Sequence, residues 1–161
     1  MELAIISDTH IPSRSSAIPE DFRARLRRAD RVVHAGDFDS SAALADVEGL
    51  AADLTAVAGN TDPDLGLPRT ATVEVGDVTL AVTHGTGSPR GYEGRLAAAG
   101  REVGADVVVG GHTHEPLDMT RDGLRLLNPG SATGAWPADI ATMLTVQPAD
   151  DGLEVERYES W

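Results

Sequence analysis

Leu3-Ala4-Ile5-Ile6-Ser7-Asp8-Thr9-His10 decides how this chain is read, because a short apolar run stops on two residues that bind metals. The same event recurs four times. Val32-Val33-His34-Ala35 stops at Gly36-Asp37, and Leu54-Thr55-Ala56-Val57-Ala58 stops at Gly59-Asn60-Thr61-Asp62. Thr79-Leu80-Ala81-Val82-Thr83 stops at His84-Gly85, and Val107-Val108-Val109-Gly110-Gly111 stops at His112-Thr113-His114. In α/β proteins the loops beyond the carboxyl ends of strands converge on one rim, where ligands gather. A chain that sends two Asp, one Asn and four His to that rim is assembling a metal site.

Each motif alone is weak, since an Asp after a strand is usually a turn residue or a helix cap. The joint pattern carries the reading: four of the five histidines fall at strand ends, beside Asp and Asn. His34 lies on a strand rather than after one and is expected to be structural, supporting the ligands rather than joining them.

Outside these five runs the elements alternate. Pro19-Glu20-Asp21 is a helix start, with Pro in the first turn and acids at the positive end of the dipole. Phe22, Leu26 and Ala29 continue it at helical spacing. Arg23, Arg25, Arg27, Arg28 and Arg31 read as its solvated face, with Glu20–Arg23 and Asp21–Arg25 as intrahelical pairs. Ser40 or Ser41 caps a second helix through Leu50, and Tyr92 to Val103 is a third between Gly91 and Gly104. Residues 71–75 and 78–83 flank Gly76-Asp77 as a hairpin. Beyond His114 only strands are predicted, with turns at Asp122-Gly123 and Asp151-Gly152. Helices early and hairpins late, in 161 residues without a linker or repeat, make one domain (1–161) of two packed sheets with helices outside.

Composition narrows the function classes. The formal net charge is -13, and all 13 basic residues are Arg. Such a surface disfavours nucleic-acid polymers and anionic membranes. High-salt adaptation would produce it, as would a GC-rich genome with an acidic proteome. No Cys is present, which removes thiolate ligation and fits a reducing, cytoplasmic setting. No apolar run approaches the roughly 20 residues of a membrane span.

Nitrogen and oxygen donors without sulfur suit Mn²⁺, Fe²⁺, Ni²⁺, Co²⁺ or Zn²⁺, and are too rich in imidazole for Ca²⁺ or Mg²⁺. Seven donors are too many for one ion with an open position and right for two.

Asp8-x-His10, Gly36-Asp37, Gly59-Asn60, His84-Gly85 and Gly110-Gly111-His112-x-His114 resemble, in order and spacing, the five signature blocks of the calcineurin-like metallophosphoesterases. Gly59-Asn60-Thr61-Asp62 and Asn128-Pro129-Gly130-Ser131 resemble the compact phosphodiesterase branch of that superfamily. The resemblance implies an α/β fold, a four-layer α/β/β/α sandwich of two mixed sheets. It implies two divalent transition-metal ions, Mn²⁺ foremost. Asp8, His10 and His114 would hold one, Asn60, His84 and His112 the other, and Asp37 would bridge them.

The implied chemistry is attack of a metal-bridging hydroxide on a small phosphodiester or nucleotide-like compound. Asp37, Asn60, His84 and Asp62 are the candidate catalytic residues, and Arg14, four residues past His10, is the candidate substrate contact. Many members of the superfamily carry His directly after the third-block Asn, where it can protonate the leaving group; here that residue is Thr61. The leaving oxygen then depends on a metal, on a protonated Asp62, on water, or on its own stability. Ile11 stands where the first block often has Gly. Trp136 is available for stacking, packing or a subunit contact. Two alternatives stand beside the diesterase: a phosphomonoesterase for a nucleotide or sugar phosphate, and a non-catalytic scaffold of the same fold. A homodimer is compatible with each.

Overall fold

The computed structural model describes residues 1–161. Ten strands and three helices follow one another along the chain. They are β1 (Leu3–Ile6), α1 (Glu20–Arg28), β2 (Arg31–His34), α2 (Ser41–Leu50), β3 (Leu54–Ala56), β4 (Thr70–Val75) and β5 (Val78–Thr83). Then come α3 (Tyr92–Val103), β6 (Val107–Val109), β7 (Leu117–Arg121), β8 (Leu124–Asn128), β9 (Ala141–Ala149) and β10 (Gly152–Ser160). They form two five-stranded sheets ordered β10-β9-β1-β2-β3 and β4-β5-β6-β8-β7. In the first, β1, β2 and β3 run parallel; in the second, β5, β6 and β8 do.

Three apolar clusters make the layers. Leu3, Ile5 and Val33 of the first sheet meet Leu80, Val82 and Val109 of the second in the central core. The alternate residues Ala4, Ile6 and Val32 face outward and are covered by Phe22 and Leu26 of α1 and Val47 of α2. On the far side Leu96 and Ala97 of α3 cover Ala81, Val108 and Leu126. The result is the expected α/β/β/α sandwich. Because the parallel strands are covered on both faces, they read as unbroken apolar runs instead of alternating ones. Each fully buried Leu or Ile contributes roughly 1.5–3 kcal/mol through water exclusion. No helix is long and apolar enough to cross a membrane.

Local chemistry sets the helix ends. The Ser40 side chain accepts the Ala43 amide at 3.1 Å and starts α2. Gly91 and Gly104 bound α3 in left-handed conformation, which costs glycine nothing. One expected pair does not form. Arg25 lies over the Tyr158 ring, 3.5 Å from its centroid, and Asp21 accepts from Ser160, because β10 crosses α1 and offers both better partners. Arg23 pairs with Glu20 at 3.7 Å and reaches across to Asp46 of α2 at 2.6 Å.

His34 stacks on Phe38 with ring centroids 3.6 Å apart and is wholly buried. Its Nδ1 accepts the Gly36 amide at 3.0 Å, so Nε2 bears the proton and donates to Thr9 Oγ1 at 3.1 Å. Burial pushes its pKa down to about 3, and it stays neutral in the fold. The unfolded chain takes this proton near pH 6.5 and the folded chain does not, so acidification drains stability below that value. We expect roughly 1.4 kcal/mol per pH unit between about pH 6.5 and about pH 4.5, above the carboxylate range. Urea unfolding at the two ends should show that slope reduced in His34→Gln; an identical slope would refute the assignment.

Candidate metal centre

The parallel strands of both sheets point their carboxyl ends at one rim, and there the seven donors meet. Asp8 and His10 follow β1, Asp37 follows β2, Asn60 follows β3, His84 follows β5, and His112 and His114 follow β6. Hydrogen bonds join the loops directly: Asp8 N–H to Gly36 C=O at 3.0 Å, His10 N–H to Asp37 C=O at 3.1 Å, and Gly111 N–H to His84 C=O at 3.1 Å. The block 128–131 braces them. Ser131 Oγ donates to Asp8 C=O at 2.7 Å, and Asn128 Nδ2 donates to Gly111 C=O at 3.0 Å.

Strain marks the same residues. Asp8, His10, Asp37, Asp39, His112 and His114 all have φ between 46° and 79°, a region that costs non-glycine residues about 1–3 kcal/mol each. Among non-glycine residues, only Asp122 shares this conformation elsewhere. A side chain on Gly59 would collide with Asp37, and one on Gly111 would collide with Ser7 and Asp8. Those glycines let the loops close around the donors.

Two histidine-containing clusters result, beside an all-carboxylate group of Asp37, Asp39 and Asp62. In one, the ligand atoms of Asp8, His10 and His114 lie within 4.8 Å of one another; in the other, those of Asp37, His84 and His112 do. Asn60 Oδ1 joins the second, 2.9 Å from His84 Nε2 and 3.1 Å from His112 Nδ1. Asp37 Oδ2 stands 3.1 Å from His84 Nε2 and 3.5 Å from His10 Nε2, so this one carboxylate touches both clusters.

Each of the four histidines of these clusters is aimed by its other nitrogen. His84 Nδ1 donates to Ala35 C=O at 2.7 Å and His114 Nδ1 to Ala135 C=O at 2.9 Å. His112 Nε2 donates to Gly87 C=O at 2.8 Å, and His10 Nδ1 to the Asp39 carboxylate at 2.9 Å. Each ring thereby carries its proton on the outer nitrogen and turns a lone pair inward, as metal-ligating histidines do.

The inner atoms lack partners suited to them. Asp8 Oδ2 accepts Ser7 Oγ–H and His112 N–H, but Asp8 Oδ1 is buried without a hydrogen bond. It faces His114 Nε2 at 3.4 Å and His10 Nε2 at 3.8 Å. His10 Nε2 and His114 Nε2 face each other at 3.2 Å. Such an arrangement leaves a costly orphan oxygen and opposed lone pairs unless a cation sits among them. Divalent ions fit this donor set: carboxylate, imidazole and amide oxygen, with no sulfur.

The carboxylates also bias two of the histidines toward protonation. Burial disfavours His10 imidazolium, yet Asp8, Asp39 and Asp37 raise its pKa above the usual value. Burial likewise opposes His84 protonation, and Asp37 and Asp8 overcome it. Asp8 is held well below the carboxylate range: burial works the other way, and the surrounding His10, His114 and His84 prevail.

The remaining candidates sit differently. Asp62 accepts the amides of Gly59 at 2.8 Å, Asp37 at 3.0 Å and Asp39 at 2.8 Å, tying the second and third loops together. Thr61 donates its amide to Asp37 Oδ1 at 3.0 Å and its hydroxyl to Asp39. Arg14 donates to Trp136 C=O at 2.9 Å, and the Trp136 side chain is 78% exposed, which rules out core packing for it.

Asp39 was invisible in the sequence, since its partners His10, Ser13 and Thr61 lie at least 22 residues away. Its one legible trace is the second acid of Gly36-Asp37-Phe38-Asp39. Asp39→Asn removes the charge that orients and enriches His10. We expect metal affinity at the Asp8–His10–His114 cluster to fall roughly 10–100-fold. Metal titration measures it, and unchanged affinity would reduce Asp39 to a loop fastener.

The whole-chain comparisons agree with this geometry. Residues 1–151 match the model of the calcineurin-like phosphoesterase superfamily domain. A probable metallophosphoesterase from Methanothermobacter thermautotrophicus is 41% identical over 146 residues, 89% of this chain and 84% of that protein. Wild-type Vps29 from Entamoeba histolytica complexed with Zn²⁺ superposes with a TM-score of 0.78 at 27% identity, covering 99% of both chains. A predicted phosphoesterase from Streptococcus pneumoniae superposes at 0.76 with 26% identity, covering 98% of this chain and 88% of that one. With two clusters of inward-facing donors on a sandwich of this topology, and matches across nearly its full length, the chain belongs to the calcineurin-like phosphoesterase superfamily.

Proposed function

We propose that this protein is a cytoplasmic, dinuclear metal-dependent phosphodiesterase for a small phosphodiester, with Mn²⁺ the foremost candidate metal. One observation carries the reading: four histidines each spend one nitrogen on a fixed oxygen acceptor and turn the other toward the two carboxylates. Asp8, His10 and His114 would hold one ion, Asn60, His84 and His112 the other, and Asp37 would touch both. When bound, such a pair supplies Lewis-acid charge and lowers the pKa of water toward neutrality.

The chain's own residues set the charge and the orientation. Two divalent ions would bring four positive charges; Asp8 and Asp37 would cancel two and a hydroxide nucleophile a third, leaving one to match a singly charged diester. Asn60 adds a donor oxygen without adding charge. Asp62, with its oxygens taken by three amides, acts as a positioning residue that fixes Asn60 and Asp37 relative to each other.

The charge balance predicts diesters over monoesters, since a monoester brings a second negative charge to the same centre. With Mn²⁺-loaded protein we expect bis(4-nitrophenyl) phosphate to exceed 4-nitrophenyl phosphate in kcat/KM by roughly tenfold or more. The reverse order would favour the monoesterase. The likeness to Vps29 supports the scaffold reading, and because one such neighbour holds Zn²⁺, metal binding does not separate the two. Turnover does: inactivity on both esters with two ions bound would favour the scaffold.

A further inference from the structure

Beside the Asn60–His84 side of the centre opens a cavity of about 630 Å³ whose wall includes Asn60, His84, Thr86, Asp64, Arg69 and Arg95. Two guanidinium groups from separate segments reach it. Arg95, on α3, lies over the Tyr92 ring, 5.9 Å from its centroid, and donates only to carbonyl oxygens: Nη2 to Ser88 C=O at 2.7 Å and Gly85 C=O at 3.1 Å. Its Nη1 donates to Arg90 C=O at 3.3 Å, and its buried Nε–H has no partner. No carboxylate pairs with this cation. Arg69, before β4, is exposed and makes neither an ion pair nor a side-chain hydrogen bond.

The acids of the wall are engaged elsewhere. Asp62 is bound by its three amides, and Asp64 folds back on the Gly66 amide at 3.1 Å. Ala58 is the one hydrophobic residue of the lining, and its one aromatic ring is the His84 imidazole, which faces Asp37. On a chain of net charge -13, two arginines without carboxylate partners offset Asp62 and Asp64 and make this wall locally neutral beside the reaction centre.

We infer that this cavity binds a second phosphate group of the substrate, through Arg69 and Arg95, while the diester occupies the metal centre. The inference rests on the phosphodiesterase reading and narrows its substrate to small diesters carrying a terminal phosphate. A tetrahedral, doubly charged phosphate can meet donors from two directions at once; a planar carboxylate satisfies one guanidinium fork. The lining gives an apolar or aromatic substituent no counterpart.

Two esters without a free hydroxyl to attack their own phosphorus test it: 4-nitrophenyl 2-methoxyethyl phosphate and the analogue with a terminal phosphate in place of the methyl group. Mn²⁺-loaded protein should prefer the phosphorylated ester by roughly tenfold or more in kcat/KM, mostly through KM. Arg69→Gln should lower the preference about tenfold, and Arg69→Glu should abolish or invert it. Asp64→Asn should increase it. Equal use of both esters, or a preference untouched by Arg69→Gln, overturns the inference while leaving the phosphodiesterase reading intact.

Calorimetric titration supplies the readout that does not depend on turnover. Propane-1,3-diol bisphosphate should bind the metal-loaded protein at least tenfold more tightly than the monophosphate, and Arg69→Gln should erase the difference. That result with no hydrolysis of either ester would support the phosphate site and refute the diesterase. Equal affinity for the two ligands would refute the site.

Discussion

Asp37→Asn should lower phosphodiester hydrolysis by roughly 10³-fold and cut the bound metal from two ions to one. The expectation follows from where this carboxylate stands. Its Oδ2 stands between His84 of one cluster and His10 of the other, at 3.1 Å and 3.5 Å, nearer to both than Asp8 Oδ1 at 3.9 Å and 3.8 Å. Its Oδ1 accepts the Thr61 amide, an interaction that an asparagine oxygen reproduces. The substitution therefore keeps shape and hydrogen bond while removing the charge and the second donor oxygen. Folding should survive, because the carboxylate is surrounded by histidines that simply bind protons less tightly once it is gone. Steady-state kinetics on a nitrophenyl diester and elemental analysis of the purified variant read the two effects separately. Retention of both ions with full turnover would mean that Asp37 does not join the clusters and that hydrolysis occurs elsewhere.

Parts of this site were legible before any fold was known, for a simple reason. A parallel strand buried on both faces must be apolar throughout, so its end is written as the first polar residue. That is why Asp8, Asp37, Asn60, His84 and His112 could be read as one set, although up to 104 residues separate them. Helix boundaries were equally local: Ser40 caps α2 from a single position, and Gly91 and Gly104 bracket α3. What escaped depends on which loops lie side by side. Asp39 gains its role only because the β1 and β2 loops touch, and Arg95 faces a cavity only because α3 packs behind His84 and Gly85. The Asp21–Arg25 pair failed for the same reason. Helical spacing permits it, but β10 brings Tyr158 and Ser160 over that face. Pairing also carries β10 to Ser160, because Ala141 of β9 stands opposite. Local patterns give elements and their ends; contacts across loops give the atoms that tune the chemistry.

The absence of a proton donor beside Asn60 leads to the other large expected effect. Thr61 spends its hydroxyl on Asp39, and Asp62 is fully engaged by backbone amides, so neither is free to protonate a departing alkoxide. Hydrolysis should then depend steeply on the leaving group: nitrophenyl diesters fast, alkyl diesters slow. Thr61→His places an imidazole at an exposed position directly after Asn60, where it has room to reach the leaving oxygen. General-acid assistance contributes about 10²–10⁴-fold when well placed, and we expect the low end, roughly 10², for an alkyl diester. A nitrophenyl diester, whose leaving group needs no proton, should change little. The kcat profile for the alkyl ester should also acquire a falling limb on the alkaline side, as the new imidazole loses its proton near an ordinary value of about 6.5. The comparison of two leaving groups separates acid catalysis from a general change in the centre, since altered metal binding would scale both rates together. Equal rates for the two esters in the unaltered protein, or equal acceleration of both in the variant, would show that the leaving oxygen already receives its proton from another group.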